Sequence, residues 1–134
     1  MPITKGVLEL MNESPLAAAT TVPASPGGDE CSIVTLADVS QCSLEFEAVF
    51  DADGTADAVF HVRASTTGGT EPSEWDTQDY ASGTLACVAG LRAQMTLHVD
   101  PSPPFLTVLA ENKDGTYTLT DVKVTRAIQQ IEAL

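Results

Sequence analysis

The sequence has 134 residues, of which 43% are hydrophobic, and 19 acidic residues against 6 basic ones give a formal net charge of -13. This length is that of one ordinary domain, and the apolar share excludes a chain that is disordered throughout. The charge argues against nucleic acid and membrane surfaces as partners, because both are bound through Lys and Arg. No run of residues approaches the roughly 20 apolar positions of a membrane-spanning helix.

Residues 1–29 differ from the rest in composition, because 4 of the 8 prolines and the pair Gly27-Gly28 lie there. Proline removes a backbone donor and glycine weakens regular structure, so we expect an extended N-terminal arm, with a short helical turn in "GVLELMNE" as an alternative. The arm is either a frayed terminus or a segment that orders against a neighbouring subunit. In the second case the contacting side chains are expected to be Ile3, Val7, Leu8 and Met11.

The cysteines are three in number, Cys31, Cys42 and Cys87. Polar residues such as Glu9 and Glu13 interrupt the stretch in which a signal peptide would need an apolar run, so no export signal is expected. An odd number of cysteines without such a signal predicts reduced thiols in a protein that folds in the cytoplasm. Their spacing does not fit a zinc site.

From residue 30 onward, apolar and polar side chains alternate along short segments, most clearly in "LEFEAVF" at residues 44–50. A period of two is typical of half-buried antiparallel strands. About seven or eight such strands with turn residues between them predict an all-β domain over residues 30–134, an antiparallel β-sandwich or jelly-roll-like fold.

Two turns and a bulge are predicted within this domain. The stretch "FLTVLAENKDGTYTLT" is expected to be a hairpin around Asp114-Gly115, and "DADG" is a second turn of the same kind, because glycine adopts the positive φ that tight turns need. Apolar positions shift from odd to even numbers between Leu119 and Val122. That shift predicts a bulge or bend near Asp121.

Residues with catalytic or metal-binding chemistry do not form a known motif. The segment "DADGTAD" carries Asp51, Asp53 and Asp57, but it lacks the twelve-residue loop and flanking helices of an EF-hand, so we interpret it as a turn. His61 and His98 have no metal-ligand or general-base spacing and are expected on the surface. We therefore predict no catalytic residue, no metal and no cofactor, and a protein that is not an enzyme.

Two aromatic residues, Trp75 and Tyr80, lie in a long polar loop. Amphipathic aromatic side chains on a loop can stack on a sugar or anchor a protein interface, and Asp79 would supply a carboxylate to a sugar site. Alternatively, Trp75 packs against the sandwich and anchors its own loop. The sequence favours the loop anchor, because only 5% of the residues are aromatic.

The segments "VFHVRASTTGG" and "SEWDT", followed by "PPFLTVLAENKDGTYTLTDVKV", resemble small β-sandwich virion proteins of tailed bacteriophages over residues 31–127. The resemblance implies a structural protein of the virion, either a capsid decoration (cement) protein or a tail component. Its partners would be the major capsid protein or tail proteins, and copies of itself in a homo-oligomer such as a trimer. Assembly would take place in the host cytoplasm.

Capsid decoration is the preferred role, because an acidic protein suits the outer surface and not an inner surface that touches packaged DNA. The alternative from another class is a carbohydrate-binding or receptor-binding β-sandwich module.

Overall fold

The computed structural model describes the backbone of residues 3–131 and the side chains of residues 5–130. It contains nine strands and one 3-10 turn, Pro72–Glu74. The strands in chain order are β1 (Ile3–Glu13), β2 (Thr21–Val22), β3 (Val34–Thr35), β4 (Val39–Phe50), β5 (Ala58–Ser65), β6 (Ala81–Leu85), β7 (Arg92–Val99), β8 (Phe105–Asn112) and β9 (Leu119–Ile131). Within this range, no helix has the length and apolar character that crossing a membrane requires.

The strands form two sheets. Sheet A has the order β1-β9-β4-β7, and sheet B has the order β2-β8-β5-β6, with β3 also paired to β8. Every pair is antiparallel. Apart from the links from β2 to β3 and from β5 to β6, each connection crosses from one sheet to the other, which is the wrapping of a jelly roll. The predicted all-β, antiparallel sandwich is confirmed.

The core lies between the two sheets and follows the predicted alternation in β4 and β5. Phe46 of β4 and Phe60 of β5 are fully buried, and their rings stack with centroids 4.5 Å apart and an interplanar angle of 7°. Gly83 of β6 makes room for this pair, because a Cβ atom there would lie 2.8 Å from Cε2 of Phe46. The close approach of two aromatic rings thus fixes the spacing of the sheets at the centre of the sandwich.

The N-terminal segment is part of the sandwich. β1 pairs with β9 along nearly its whole length, and a bulge between Glu9 and Met11 turns both Leu10 and Met11 into the core. The sequence predicted an arm over residues 1–29 that is separate from a sandwich over residues 30–134, with a helical turn as an alternative. The position of β1 within sheet A differs from both expectations. The segment is extended as expected, but strand pairing and apolar burial attach it to sheet A.

The predicted hairpin at the end of the chain is wrong. β8 belongs to sheet B and β9 to sheet A, so these strands do not pair with each other, and the turn between them crosses from one sheet to the other. Neither Gly54 nor Gly115 adopts the positive φ that was expected; the glycines that do so are Gly27, Gly68 and Gly90. Turn residues therefore marked where the chain reverses but not which strands pair.

The predicted bulge near Asp121 is confirmed. Asp121 has a φ of 47°, and the pairing of β4 with β9 shifts by one residue there, since Glu47 pairs with Lys123 but Val49 pairs with Thr120. The bulge keeps the side chains on both sides of Asp121 directed at the core.

One end of the sandwich is held by a polar hub formed by the side chains of Asn112 and Asp114. Asn112 ends β8 and is only 1% exposed. Its Nδ2 donates to the carbonyl oxygens of Leu16 and Ala17, both at 3.3 Å, and of Tyr117 at 2.9 Å, while its Oδ1 accepts the amide N–H of Asp114 at 3.0 Å. The side chain thus joins the segment after β1 to the connection between β8 and β9.

The second member of the polar hub binds backbone amides alone. The carboxylate of Asp114 accepts the N–H groups of Thr55 at 3.0 Å, Tyr117 at 3.0 Å and Thr116 at 2.9 Å. These hydrogen bonds lower the pKa of Asp114 to about 2, because they stabilise its charged form. The connection between β4 and β5 is thereby joined to the connection between β8 and β9.

Candidate interaction surface

β1 is an edge strand of sheet A with exposed apolar side chains. Only one of its sides has a strand partner, β9, in the part of the chain that the structure describes. Val7 is 75% exposed and Leu8 is 46% exposed. An unpaired strand edge offers backbone donors and acceptors to another chain, and apolar side chains on it add contact area. The combination is typical of an interaction surface.

The predicted contact residues of the N-terminal segment have different environments. Val7 and Leu8 are exposed on β1, whereas Met11 is buried in the core and cannot contact another subunit. Ile3 lies in β1, and its side chain falls outside the described residues. The sequence therefore predicted an apolar contact segment, but it could not tell which side chains the sandwich uses for itself.

A shallow hollow of about 180 Å³ lies beside Val7 on the outer face of sheet A. Space is left there because Ala127 and Ser43, which pair across β9 and β4, carry small side chains. Gln41 and Gln129 also line the hollow. The hollow can accept an apolar side chain while the two amide groups bind the polar atoms around it.

Trp75 is not part of an exposed surface. Its side chain is 4% exposed, and its Nε1 donates to the carbonyl oxygen of Gly69 at 2.8 Å. It packs on Gly27, whose φ is 79° and where a Cβ atom would lie 2.6 Å from Nε1. Trp75 thus anchors its own loop against the loop between β2 and β3, as the loop-anchor alternative predicted, and it offers no ring face to a ligand.

Tyr80 is half-exposed but also has a structural contact. Its hydroxyl donates to the carbonyl oxygen of Asp100 at 3.0 Å. This hydrogen bond connects the residue before β6, in sheet B, to the residue after β7, in sheet A. Burial and the Asp100 carboxylate raise the pKa of Tyr80. Its ring lines a hollow of about 190 Å³ together with Pro103 and Pro104. Tyr80 and Trp75 therefore do not form a shared platform for a sugar ring.

Asp79, the carboxylate of the hypothetical sugar site, belongs to a charged cluster with His61, Arg63 and Glu111. Nδ1 of His61 lies 2.8 Å from Oδ2 of Asp79, and Nε2 lies 2.8 Å from Oε1 of Glu111. Nε of Arg63 donates to Oδ1 of Asp79 at 2.7 Å. Both ring nitrogens of His61 face carboxylates, so the imidazole has no free position with which to act as a base on a substrate.

The partners of Asp79 set the direction in which the pKa of its carboxyl group shifts. Burial raises the pKa of Asp79, but hydrogen bonds from His61 and Arg63 and their positive charges outweigh it, and the net result is a lowered pKa. The sequence predicted a surface position for His61 but did not indicate the cluster. The pairing of β5 with β8, which sets Val59 opposite Glu111, brings these groups together and is not visible in the local sequence.

The carboxylates of the acidic turn bind backbone amides. Asp51 accepts the N–H of Asp53 at 2.9 Å, and Asp57 accepts the N–H of Cys87 at 2.8 Å. In the described part of the chain, no group of three or more His, Cys, Asp or Glu side chains is arranged so that it could hold a metal ion. The turn interpretation accounts for these contacts.

The three cysteines are free thiols, with Cys31 and Cys42 buried and Cys87 partly buried. Burial raises the pKa of all three thiols, and the carboxylates of Asp57 and Asp114 raise that of Cys87 further. A raised pKa keeps a thiol protonated and less reactive. His98 is exposed, and its Nδ1 lies 2.8 Å from Oγ of Ser43.

No family model matches the sequence, and no curated protein matches it. Among solved structures, the K3 cleaved adhesin domain of Lys-gingipain from Porphyromonas gingivalis w83 is 17% identical, with 90% of this chain and 99% of that chain covered and a TM-score of 0.45. The K1 cleaved adhesin domain of the same protein is 15% identical, with 98% and 99% covered and a TM-score of 0.44. Similarity at this level carries no functional information.

Proposed function

We propose that the protein is a non-catalytic structural subunit of a virion, a capsid decoration protein, and that β1 provides its contact with neighbouring subunits. The observation that carries this proposal is the exposure of Val7 and Leu8 on an edge of sheet A that has no second strand partner among residues 3–131. Natural edge strands are usually short, charged or covered, because an open edge associates with other chains. A long edge strand with apolar side chains therefore supports a role in association.

The charge of the protein supports a position on the outside of a shell. A net charge of -13 makes free copies repel each other and keeps an outer surface solvated. Attraction to a neighbour must then come from apolar burial and backbone pairing, which are the two things that β1 offers. The major capsid protein is the proposed partner, in addition to other copies of the chain.

The carbohydrate-binding alternative has less support. A sugar site would use an exposed aromatic ring beside a free carboxylate. Trp75 is buried, and Asp79 is held by His61 and Arg63. Tyr80 alone is a narrow platform for a sugar ring.

The proposal is tested on virus particles. The protein is co-expressed with the capsid and tail proteins from its own source. Particles are then isolated by sedimentation, and the fraction of the protein that is bound to them is measured. Burial of one apolar side chain is worth about 1.5–3 kcal/mol before ordering costs. We therefore expect Val7→Lys to weaken binding at least tenfold, equivalent to about 1.4 kcal/mol.

The matched control is Leu91→Lys, which places the same charge at a side chain that is 58% exposed outside β1. It should bind particles as the wild type does. Equal losses for the two variants would remove β1 from the proposal. A wild-type protein that binds neither capsids nor tails would contradict the function itself.

A further inference from the structure

We propose that two copies of this chain pair through β1 in antiparallel orientation, so that the two four-stranded sheets A become one sheet of eight strands. The proposal rests on the proposed role of β1 in subunit contact and names a second copy as the chain that covers it. Pairing of this kind satisfies the open backbone groups of both edges at once, and a two-fold axis makes one patch sufficient for both subunits.

The face on which each side chain of β1 lies limits how two copies can pair. Lys5, Val7 and Glu9 pair with Gln129, Ala127 and Thr125 of β9 and lie together on the outer face of sheet A. Gly6 and Leu8 lie on the opposite face. Residues directly opposite each other in an antiparallel pair share a face, so a symmetric pairing must be centred on one residue and not between two.

Charge selects the centre. A two-fold axis at Val7 places Val7 opposite Val7 of the second copy and Lys5 opposite Glu9 of the second copy, and the symmetry repeats this opposite-charge pair. Centring on Gly6 or Leu8 leaves both charges opposite uncharged residues, and centring on Lys5 or Glu9 places like charges opposite each other. Opposite charges across a sheet stabilise pairing and like charges oppose it. Val7 is therefore the favoured centre.

The inner face agrees with this register. With the axis at Val7, Leu8 of each copy lies opposite Gly6 of the other. Gly6 has no side chain, and the space where a Cβ atom would stand is bordered by Cγ1 of Ile128 at 3.7 Å and Nη1 of Arg126 at 3.9 Å. The half-exposed Leu8 can thus pack over Gly6 and onto Ile128 of the second copy. Both exposed apolar side chains of β1 become covered in one arrangement.

The pairing is short, because the bulge between Glu9 and Met11 ends the regular part of the edge. A contact of this length is smaller than a standard interface of about 1,600 Å². We therefore expect a dimer that dissociates on dilution rather than a permanent one. In an assembled particle, where copies are held at high local concentration, such a contact would be occupied.

Charge exchange tests the proposal with the full chain in sedimentation equilibrium, over concentrations from about 10 to 500 μM. The wild-type mass should rise from that of one chain towards that of two. Lys5→Glu should weaken association at least tenfold, because it creates two pairs of like charges. Lys5→Glu combined with Glu9→Lys should restore association, since the pairs are opposite in sign again. Both residues are exposed, so neither change affects the core.

The matched control is Lys113→Glu, which makes the same change in net charge at an exposed residue outside β1. It should associate as the wild type does. A loss equal to that of Lys5→Glu would assign the effect to net charge and overturn the pairing. Failure of the double variant to recover would do the same, as would a wild-type protein that stays monomeric at every concentration.

Cross-linking tests the centre of the pairing. Cα atoms of directly opposed residues are about 4.5–5.5 Å apart, a separation that a disulfide can span. In a Cys87→Ser background, Val7→Cys should form a covalent dimer under mild oxidation. Lys5→Cys should not, because its symmetry mate lies about 13 Å away along the strands. Efficient cross-linking at Lys5→Cys and none at Val7→Cys would contradict the register.

The two proposals fail separately. A monomer whose particle binding still depends on Val7 would contradict the pairing of two copies and leave the proposed function standing. A dimer with the expected charge dependence but no affinity for particles would contradict the proposed function and leave the pairing standing.

Discussion

The polar hub and the charged cluster of His61, Arg63, Asp79 and Glu111 are both built from polar side chains, but these side chains have different kinds of partner. The hub binds backbone: Asn112 and Asp114 connect three chain segments that are far apart in sequence. In the cluster, side chains bind other side chains on the outer face of sheet B, and they are 20–32% exposed. The hub lies where connections meet, whereas the cluster lies on strands that are already paired.

This difference shows why position matters more than the number of hydrogen bonds. Removal of a buried partner leaves backbone groups unsatisfied, and that cost is not recovered from water. Removal of a surface ion pair lets both partners return to water, so little is lost. We therefore expect loss of the hub to lower the free energy of unfolding strongly, because the connections at that end of the sandwich come apart. Loss of the cluster should change the free energy of unfolding only slightly.

The largest effect is expected at Asn112. Asn112→Ala should lower the free energy of unfolding by about 3 kcal/mol or more, because three carbonyl oxygens and one amide lose their partner in the core. Urea denaturation measures the change. Ser65→Ala serves as the comparison and should lose less, since its buried hydroxyl also bonds backbone groups, but only those of the loop that follows β5. A loss below about 1 kcal/mol for Asn112→Ala would show that the hub does not hold the connections together.

A smaller effect with a clear dependence on pH is expected at Asp114. Its pKa is about 2 in the folded protein and near 3.8 ordinarily, so its contribution to stability is present above pH 4 and is lost as the pH falls towards 2. Asp114→Asn should therefore be less stable than the wild type at pH 7 and should approach it at pH 2. Urea midpoints at both pH values measure this. A constant difference would mean that the charge of Asp114 is irrelevant.

The smallest effect is expected in the charged cluster. Asp79→Asn should lower stability at pH 7 by only about 0.5 kcal/mol, because exposed ion pairs are weak. The pKa of Asp79 is lowered in the folded protein, so this contribution is present above its ordinary pKa and disappears as the pH falls through the folded value. Asp76→Asn is the matched control. A loss at Asp79 as large as that at Asn112 would remove the distinction between the two regions.

Much of the fold could be predicted from the sequence. Alternation in "LEFEAVF" and "AVFHVRAS" identified β4 and β5 and their inward side chains, and the change of phase near Asp121 identified the bulge. These features are local, since a strand's period is set by its own residues. The partner of a strand is not local. The turn between β8 and β9 therefore suggested a hairpin where the chain changes sheets.

The interaction surface could be predicted only in part. Val7 and Leu8 were identified because apolar residues stood in a segment rich in proline and glycine, but Met11 was assigned to the same contact although it is buried. The difference depends on the bulge in β1 and on pairing with β9, more than a hundred residues away in sequence. The charged cluster depends likewise on a pairing across strands, and nothing in the local sequence announces it.

The place of β9 between β1 and β4 in sheet A has a consequence for synthesis on the ribosome. β1 emerges first, but β9, with which it pairs, is made last, and β4 can pair only with β7 until residues 119–131 have been made. The first strand therefore waits unpaired through the translation of almost all the others, and sheet A closes late in synthesis. Pairings between such distant segments are slow to form and leave apolar strands exposed meanwhile. The excess of negative charge would keep nascent chains on one polysome apart during that interval.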